Sequence, residues 1–259
     1  MFTRMIYPLS LRERVSWRAR KIFPKAKDRD VSLEFDKNLK MDLSNTDVGH
    51  QSIIFNGFYE LDLTKKMVAL AKKGGVLFDV GANYGYYSCL WAAKNKENRI
   101  YAFEASPVNQ GPLKNNITKN GLSKAITLVP NAAGKEEGKL KFSLGNESNQ
   151  TGWGGLSISE DTDCIEVRVI TLDNFAEANG VGKVNVLKID TEGADTWVLY
   201  GAENLLKKKK IDHIFFEHNA PRMKMLGIKG DEAQQFLEKL DYTVERISPN
   251  DFYAYPKKG

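Results

Sequence analysis

With only two cysteines in 259 residues, the chain is not a disulfide scaffold. Cys89 and Cys164 lie far apart in apolar surroundings and read as buried free thiols of a reducing compartment, the cytoplasm. No apolar run approaches the ~20 residues of a membrane span. Arg4, Arg12 and Arg14 interrupt the apolar core that a secretory signal needs, although the Arg-rich, acid-poor start is compatible with an organelle transit peptide. Internal repeats and low-complexity tracts are absent. So are the dinucleotide fingerprint G-x-G-x-x-G and the phosphate loop G-x-x-x-x-G-K-[ST], which argues against a nicotinamide oxidoreductase and a nucleotide triphosphatase.

Charge is unevenly spread. Residues 1–29 carry nine Lys/Arg against Glu13 and Asp28, a net +7, which leaves −2 of the chain's +5 for the rest. A near-neutral body does not favour a nucleic-acid partner. Leu11, Val15, Ala19 and Ile22 recur at helical spacing among basic residues, so a basic amphipathic helix is expected, packed on the body or touching a membrane surface or protein. The latter contact would make the protein peripheral to a membrane.

Alternation at Val31, Leu33, Phe35 and again at Leu39, Met41, Leu43 predicts a β-hairpin around Asp36-Lys37-Asn38. Residues 1–50 therefore read as an N-terminal extension of helix and hairpin, and residues 51–259 as the main domain. A helix over 60–72 follows. Strands over 76–80, 100–103, 126–129, 184–189 and 211–216 then alternate with helices over 86–93, 107–120, 195–206 and 231–240. Further strands are expected over 139–144 and 165–170, and two short ones over 242–246 and 252–255 close the chain. This is an α/β pattern: a mostly parallel, seven-stranded sheet with helices on both faces and an antiparallel edge.

Such sheets bind ligands beyond the carboxyl ends of their strands. Here five strand ends carry polar groups: Asp79 with Gly81-Ala82-Asn83, Glu104 with Ala105-Ser106, Asn131-Ala132, Asp190 with Glu192, and Glu217-His218-Asn219. The first is V-L-F-D-V-G-A-N-Y-G-Y-Y-S, where Gly81 and Gly85 let backbone approach a ligand that a Cβ would meet. A carboxylate at the second strand end accepts both hydroxyls of a ribose. Ser106 is available to cap the helix after it, leaving Glu104 free for that task. The loop over 145–157 is long enough for a lid, with Trp153 placed to stack on a sugar ring. Tyr59-Glu60 would close the other side of the pocket, unless Glu60 simply starts its helix.

G-F-Y-E (57–60), F-D-V-G-A-N-Y-G-Y-Y-S (78–88), F-E-A-S-P (103–107), T-L-D-N-F (171–175) and L-K-I-D-T-E-G-A-D (187–195) together resemble the FkbM family of class I S-adenosylmethionine-dependent methyltransferases. The likeness runs from about Phe55 to Asn219, and departs where the family usually has Glu and this chain has Asp195. It implies a Rossmann-like class I methyltransferase fold and methyl transfer to an oxygen of a sugar, glycan or natural product. On it, Asp79, Gly81, Asn83 and Gly85, with Ala82 and Tyr86 beside them, would hold the methionine end of S-adenosylmethionine. Glu104 would hold the ribose, while Ala105, Ser106, Asn131 and Ala132 would border the adenine. Asp190 would sit by the amino group or at the reacting centre.

A sugar hydroxyl is a poor nucleophile and gains from a base. His218 is one of three histidines, at a strand end, and Asp190, Glu192 and Glu217 are the other candidates. Trp153 and Tyr59 are the candidates for acceptor binding. Mg²⁺ held through oxygen by Asp190, Glu217 and Asn219 is a second mechanism, not required by the resemblance. Other acceptors (nucleic acid or protein) and a non-catalytic cofactor-binding module are the alternatives. The tetrapeptide [ND]-P-P-[YF], common in methyltransferases acting on amino groups, does not follow Asp190.

Overall fold

The computed structural model describes residues 2–22, 27–143, 155–156 and 164–257. Trp153 and its proposed stacking role lie outside them. After a 3₁₀ turn (Phe2–Met5) come α1 (Leu9–Ile22), the hairpin strands β1 (Val31–Ser32) and β2 (Lys40–Met41), α2 (Val48–Asn56) and α3 (Leu61–Ala71). The main alternation is β3 (Val76–Val80), α4 (Tyr86–Lys94), β4 (Arg99–Phe103), α5 (Pro107–Lys119) and β5 (Ile126–Val129). An insertion follows: β6 (Ala132–Ala133), β7 (Gly138–Ser143), β8 (Gly155–Leu156) and β9 (Cys164–Ile170). The chain continues with α6 (Leu172–Ala178), β10 (Val184–Ile189), α7 (Asp195–Tyr200), α8 (Glu203–Lys207) and β11 (Ile211–Glu217). It closes with α9 (Ala220–Met225), α10 (Glu232–Lys239), β12 (Tyr242–Arg246) and β13 (Asp251–Pro256).

Seven strands form one sheet in the order β12-β13-β11-β10-β3-β4-β5, parallel from β11 to β5, with β13 antiparallel to both its neighbours. Adjacent residues of a strand face opposite layers. Leu77 and Phe215 face the layer of α3 and α4, whereas Phe78 and Phe216 face the other. Phe78 is fully buried and meets Tyr101, Phe103 and Phe175 edge-on. Burial of one such ring contributes ~1.5–3 kcal/mol. The insertion strands make a separate four-stranded sheet, β6-β9-β7-β8, which the sequence pattern did not resolve.

Three expectations change. The helix expected over 195–206 is two helices, parted at Gly201 and Ala202, where the backbone passes so close to Gly134 that a Cβ on Gly201 would lie 2.0 Å from its carbonyl oxygen. Asp173 then caps the restart, accepting from the amides of Asn204 (2.8 Å) and Leu205 (2.9 Å). Helix α1 turns only part of its apolar stripe inward: Val15 and Ala19 are half-buried, Ala19 against the core, while Leu11 and Ile22 face out and the fully buried side chains are Arg12 and Ser16. Cys89 is fully buried but Cys164 only half so; both thiols are free.

Candidate functional site

The register that pairs Lys188 with Asp79 in β10 and β3, and Glu217 with Asp251 in β11 and β13, brings four charged positions to one end of the sheet. That end opens on two adjoining cavities, which share Gly81 and Asp190 in their walls.

The first, of about 440 Å³, is walled by Ala105, Ala132, Leu140, Phe142, Ala194 and Trp197, with Glu104 and Asn131 as polar groups. The insertion sheet supplies the outer wall. Glu104 accepts from the amides of Asn83 (2.7 Å) and Ser106 (2.8 Å). Ser106 therefore does not cap α5 with its own hydroxyl, contrary to expectation; the Glu104 carboxylate takes that amide and also ties the β3 loop to the β4 end. Burial pushes the Glu104 carboxyl up to about 7 despite these bonds.

The second cavity, of about 390 Å³, is acidic. Glu60, Asp190, Glu192, Glu217 and Asp251 line it, with Tyr59 among them. Burial, then the charge of Asp190, pushes Glu60 and Glu192 up to about 7. Glu217 rises further, to about 9, through burial and the charges of Asp190, Glu192, Asp195 and Glu60. Lys188 Nζ stands 3.2 Å from Asp190 Oδ2 and 3.8 Å from Asp79 Oδ1. Burial lowers its proton affinity, but the charges of Asp190, Asp79 and Glu60 outweigh this and hold the proton. Glu60 sits at φ 41° at the start of α3 with no capping bond; its carboxylate turns inward to accept from Tyr87 Oη (2.8 Å). Its placement is therefore in the pocket wall rather than at the helix dipole.

The structure gathers most of the expected residues but not all. Ala82, Asn83, Tyr86, Tyr59, Glu192, Glu217 and Asn219 line the acidic cavity, and Glu104, Ala105, Asn131 and Ala132 the apolar one. Asp79 lines neither. It is buried under the loop, accepting from Ser88 Oγ at 2.6 Å, beside Lys188. Gly85 and Ser106 line neither as well. A Cβ on Gly81 (φ 75°) would lie 1.8 Å from the Asp190 carbonyl oxygen, and one on Gly85 (φ 87°) 2.4 Å from Leu113 Cδ1. The protein's own packing thus requires both glycines, and Gly81 also lines both cavities.

His218 is a correction. Alternation puts Glu217 on the face of Phe215, toward the acidic cavity, and His218 on the face of Phe216, against Phe252 and Gly230. It lines a separate shallow depression with Met223 and Ile228. Asn219 also has other work: its Oδ1 accepts from the Arg222 amide (3.4 Å) to cap α9, and its Nδ2 donates to Glu192 (2.9 Å). Among the described residues, no cluster of three His, Cys, Asp or Glu side chains is arranged to hold a metal.

Residue-pattern reasoning passed over Lys188, His50, Asp251 and Trp197. A lysine inside V-N-V-L-K-I, a strand covered on both faces, must find a counter-charge, and that signal was available. Asp251 begins an antiparallel strand, so its start lies with the other strands' ends. The amide of Ser44 donates to His50 Nδ1 (3.3 Å), which leaves Nε2–H to donate to Asn83 Oδ1 (3.2 Å). Burial lowers the His50 pKa and keeps it neutral.

A family model described as the methyltransferase FkbM domain matches residues 79–244. The hexuronic acid methyltransferase AglP of Haloferax volcanii is 27% identical over 150 residues, 57% of this chain and 58% of that protein. The 31-O-demethyl-FK506 methyltransferase FkbM of Streptomyces tacrolimicus is 25% identical over 159 residues, 51% of this chain and 61% of that one. The chain thus spans about three fifths of the length of these curated relatives. The solved structure of methyltransferase FkbM from Methylobacillus flagellatus superposes with a TM-score of 0.50 at 16% identity, over 70% of this chain and 44% of that chain, a likeness of fold. The fold is the Rossmann-like one of class I methyltransferases. The family match begins at the Asp79 strand end and runs through both cavities to Val244, and by it the chain belongs to the FkbM methyltransferase family.

Proposed function

We propose that the protein transfers a methyl group from S-adenosylmethionine to a hydroxyl of a sugar, glycan or natural product. The observation that carries this reading is the pair of unlike cavities meeting at Gly81 and Asp190. The apolar one suits an adenosine. Trp197 and Phe142 offer faces for the base, and Glu104 Oε2, which accepts from the Asn83 amide, keeps a lone pair for a ribose hydroxyl, while Oε1 takes both the Ser106 amide and Asn109 Nδ2 (3.5 Å). The acidic one suits the cationic end: carboxyl groups whose proton affinity is raised by one another's charge gain from a positive ligand. When bound, the cofactor supplies a methyl group already activated on a positive sulfur.

The chain's own residues align and deprotonate the acceptor. Asp190 stands in the wall common to both cavities and is the base we assign. Lys188 holds its Oδ2, leaving Oδ1 for the acceptor hydroxyl. Glu192, oriented by Asn219 and poised at about 7, is the second base candidate. Glu217, at about 9, donates a hydrogen bond at neutral pH rather than accepting a proton. Tyr59, its hydroxyl held well above its ordinary pKa by Glu60 and burial, borders the acceptor.

Similarity to a hexuronic acid methyltransferase supports a sugar as the acceptor class. The −2 charge of the body and its acid-lined cavity do not complement a nucleic acid. Free thiols fit the cytoplasm, and among the described residues no helix is long and apolar enough to cross a membrane. The test is incubation with methyl-labelled S-adenosylmethionine and a panel of neutral, amino and uronic-acid glycosides, with mass analysis of the product. A new methyl ether on a hydroxyl is expected. Label on nitrogen or on a carboxylate, or none with any acceptor class, contradicts the reading.

A further inference from the structure

Helix α1 packs Leu9 and Ala19 half-buried against the core, yet its deepest contacts are of another kind. Its fully buried side chains are polar. Arg12 donates to the Ile6 carbonyl (3.0 Å), Glu34 Oε2 (2.6 Å) and the Asn56 carbonyl (2.8 Å), and Ser16 donates to the Glu13 carbonyl (2.9 Å). The preceding turn is pinned the same way. Arg4 donates to the Ser32, Ile53 and Ile54 carbonyls, and Thr3 to that of Phe55. The segment is therefore fixed on the body by hydrogen bonds and an ion pair, and its outer face is free to be apolar.

That outer face is apolar and basic together. Met5, Tyr7, Leu11, Trp17 and Ile22 are between 45% and 79% exposed. Leu11, Arg14, Arg18 and Ile22 are all exposed at i, i+3, i+7 and i+11, which sets them in one stripe. The only acid of the helix, Glu13, is half-buried, its charge set against Asp62 and Arg20. An ordinary surface helix shows the reverse: apolar in, charged out.

We propose that this face docks on an anionic lipid bilayer. Arg14 and Arg18 are exposed on this face beside Leu11 and Ile22, so it offers positive charge to anionic headgroups. Leu11, Trp17 and Ile22 on the helix, with Met5 and Tyr7 just before it, fit the boundary of headgroups and chains, where rings and aliphatic ends enter while arginines stay with the phosphates. A second copy is a poor occupant, because a two-fold axis would set Arg14 and Arg18 of one copy against those of the other. Arg20, half a turn round the helix from Leu11, lines the acidic cavity, so the proposed docking face points away from that cavity. The inference does not depend on methyl transfer, since its readout is binding.

The experiment is sedimentation of the full chain with phosphatidylcholine vesicles, with and without phosphatidylserine. Binding is expected only with the anionic lipid, and is expected to fall as salt rises. Arg14→Gln with Arg18→Gln is expected to weaken it about thirty-fold, at about 1 kcal/mol per basic residue near the surface. Leu11→Ser with Ile22→Ser is expected to weaken it about tenfold or more. All four side chains are exposed, so both double variants should keep the wild-type melting temperature, which is checked in parallel. Equal binding to neutral and anionic vesicles, variants that bind like the wild type, or a dimer abolished by the same substitutions in place of vesicle binding would each overturn the proposal.

Discussion

The two cavities share a wall yet are built on opposite principles. Around Glu104 the chain sets alanine, leucine, phenylalanine and tryptophan, and satisfies that buried carboxyl with two backbone amides and Asn109 Nδ2, while Glu136, Glu137 and Asp190 stand elsewhere in the wall. Around Asp190 it crowds Glu60, Glu192, Glu217 and Asp251, with Lys188 already committed to Asp190 and Asp79 and Arg20 in the wall. The first arrangement is nearly complete without a ligand. The second is strained by like charges and is relieved by protons or by a cation. The contrast teaches where recognition and chemistry divide: the settled cavity selects a ligand's shape, and the unsettled one responds to its charge.

Substitutions on either side should break different things. Asp190→Asn is expected to have the largest effect, a fall in turnover of about 10²–10⁴-fold, the range for losing a general base. Cofactor affinity should change by far less, as titration calorimetry against methyl-transfer rates will show. Equal losses in both would make Asp190 a binding residue. Glu104→Gln is expected next, with a cofactor affinity reduced about tenfold to a hundredfold, the scale of one or two hydrogen bonds to a charged group. Turnover at saturation should be largely kept.

The acidic cavity also has a pH signature. Glu60, Glu192 and Glu217 titrate in the fold at about 7, 7 and 9, above the ordinary carboxylate range. Below that range both folded and unfolded chains hold these protons, and the groups cost nothing. As pH rises the unfolded chain ionises first, so stability is lost from about pH 5 up to about pH 9. The melting temperature of the ligand-free protein should fall across that window, and Glu217→Gln should flatten its upper half. A rising or level profile would contradict the crowding. The smallest effect is expected at His218, on the far side of β11. His218→Asn should leave turnover within about twofold, since a residue outside the reacting geometry contributes no proton transfer.

The alternation of strands and helices was legible because it rests on local periodicity: Val76–Val80, Ile126–Val129, Val184–Ile189 and Tyr242–Arg246 lie where the pattern predicts them. The close approach of Gly201 to the Gly134 carbonyl, where the helix is parted, was not, since Gly134 is remote in sequence. Asp190, Glu192 and Glu217 were legible as polar ends of apolar runs. His218 misled because strand ends show which residues are near a crevice but not which face each one takes. Period two settles that once the strand reaches Glu217 rather than stopping at Phe216. Helix α1 misled for a related reason: spacing shows that a face is apolar, not that it points inward, and here Arg12 reaches partners at Glu34 and Asn56 that no local pattern announces.

A crystal structure with S-adenosylhomocysteine puts the division of the two cavities to its most direct test. The expected result is the adenosine between Trp197 and Glu104, with the ribose hydroxyls on the Glu104 carboxylate and the sulfur at the shared wall by Gly81 and Asp190. Adenosine seated among Glu60, Glu192 and Glu217, or bound without touching Glu104, would contradict it.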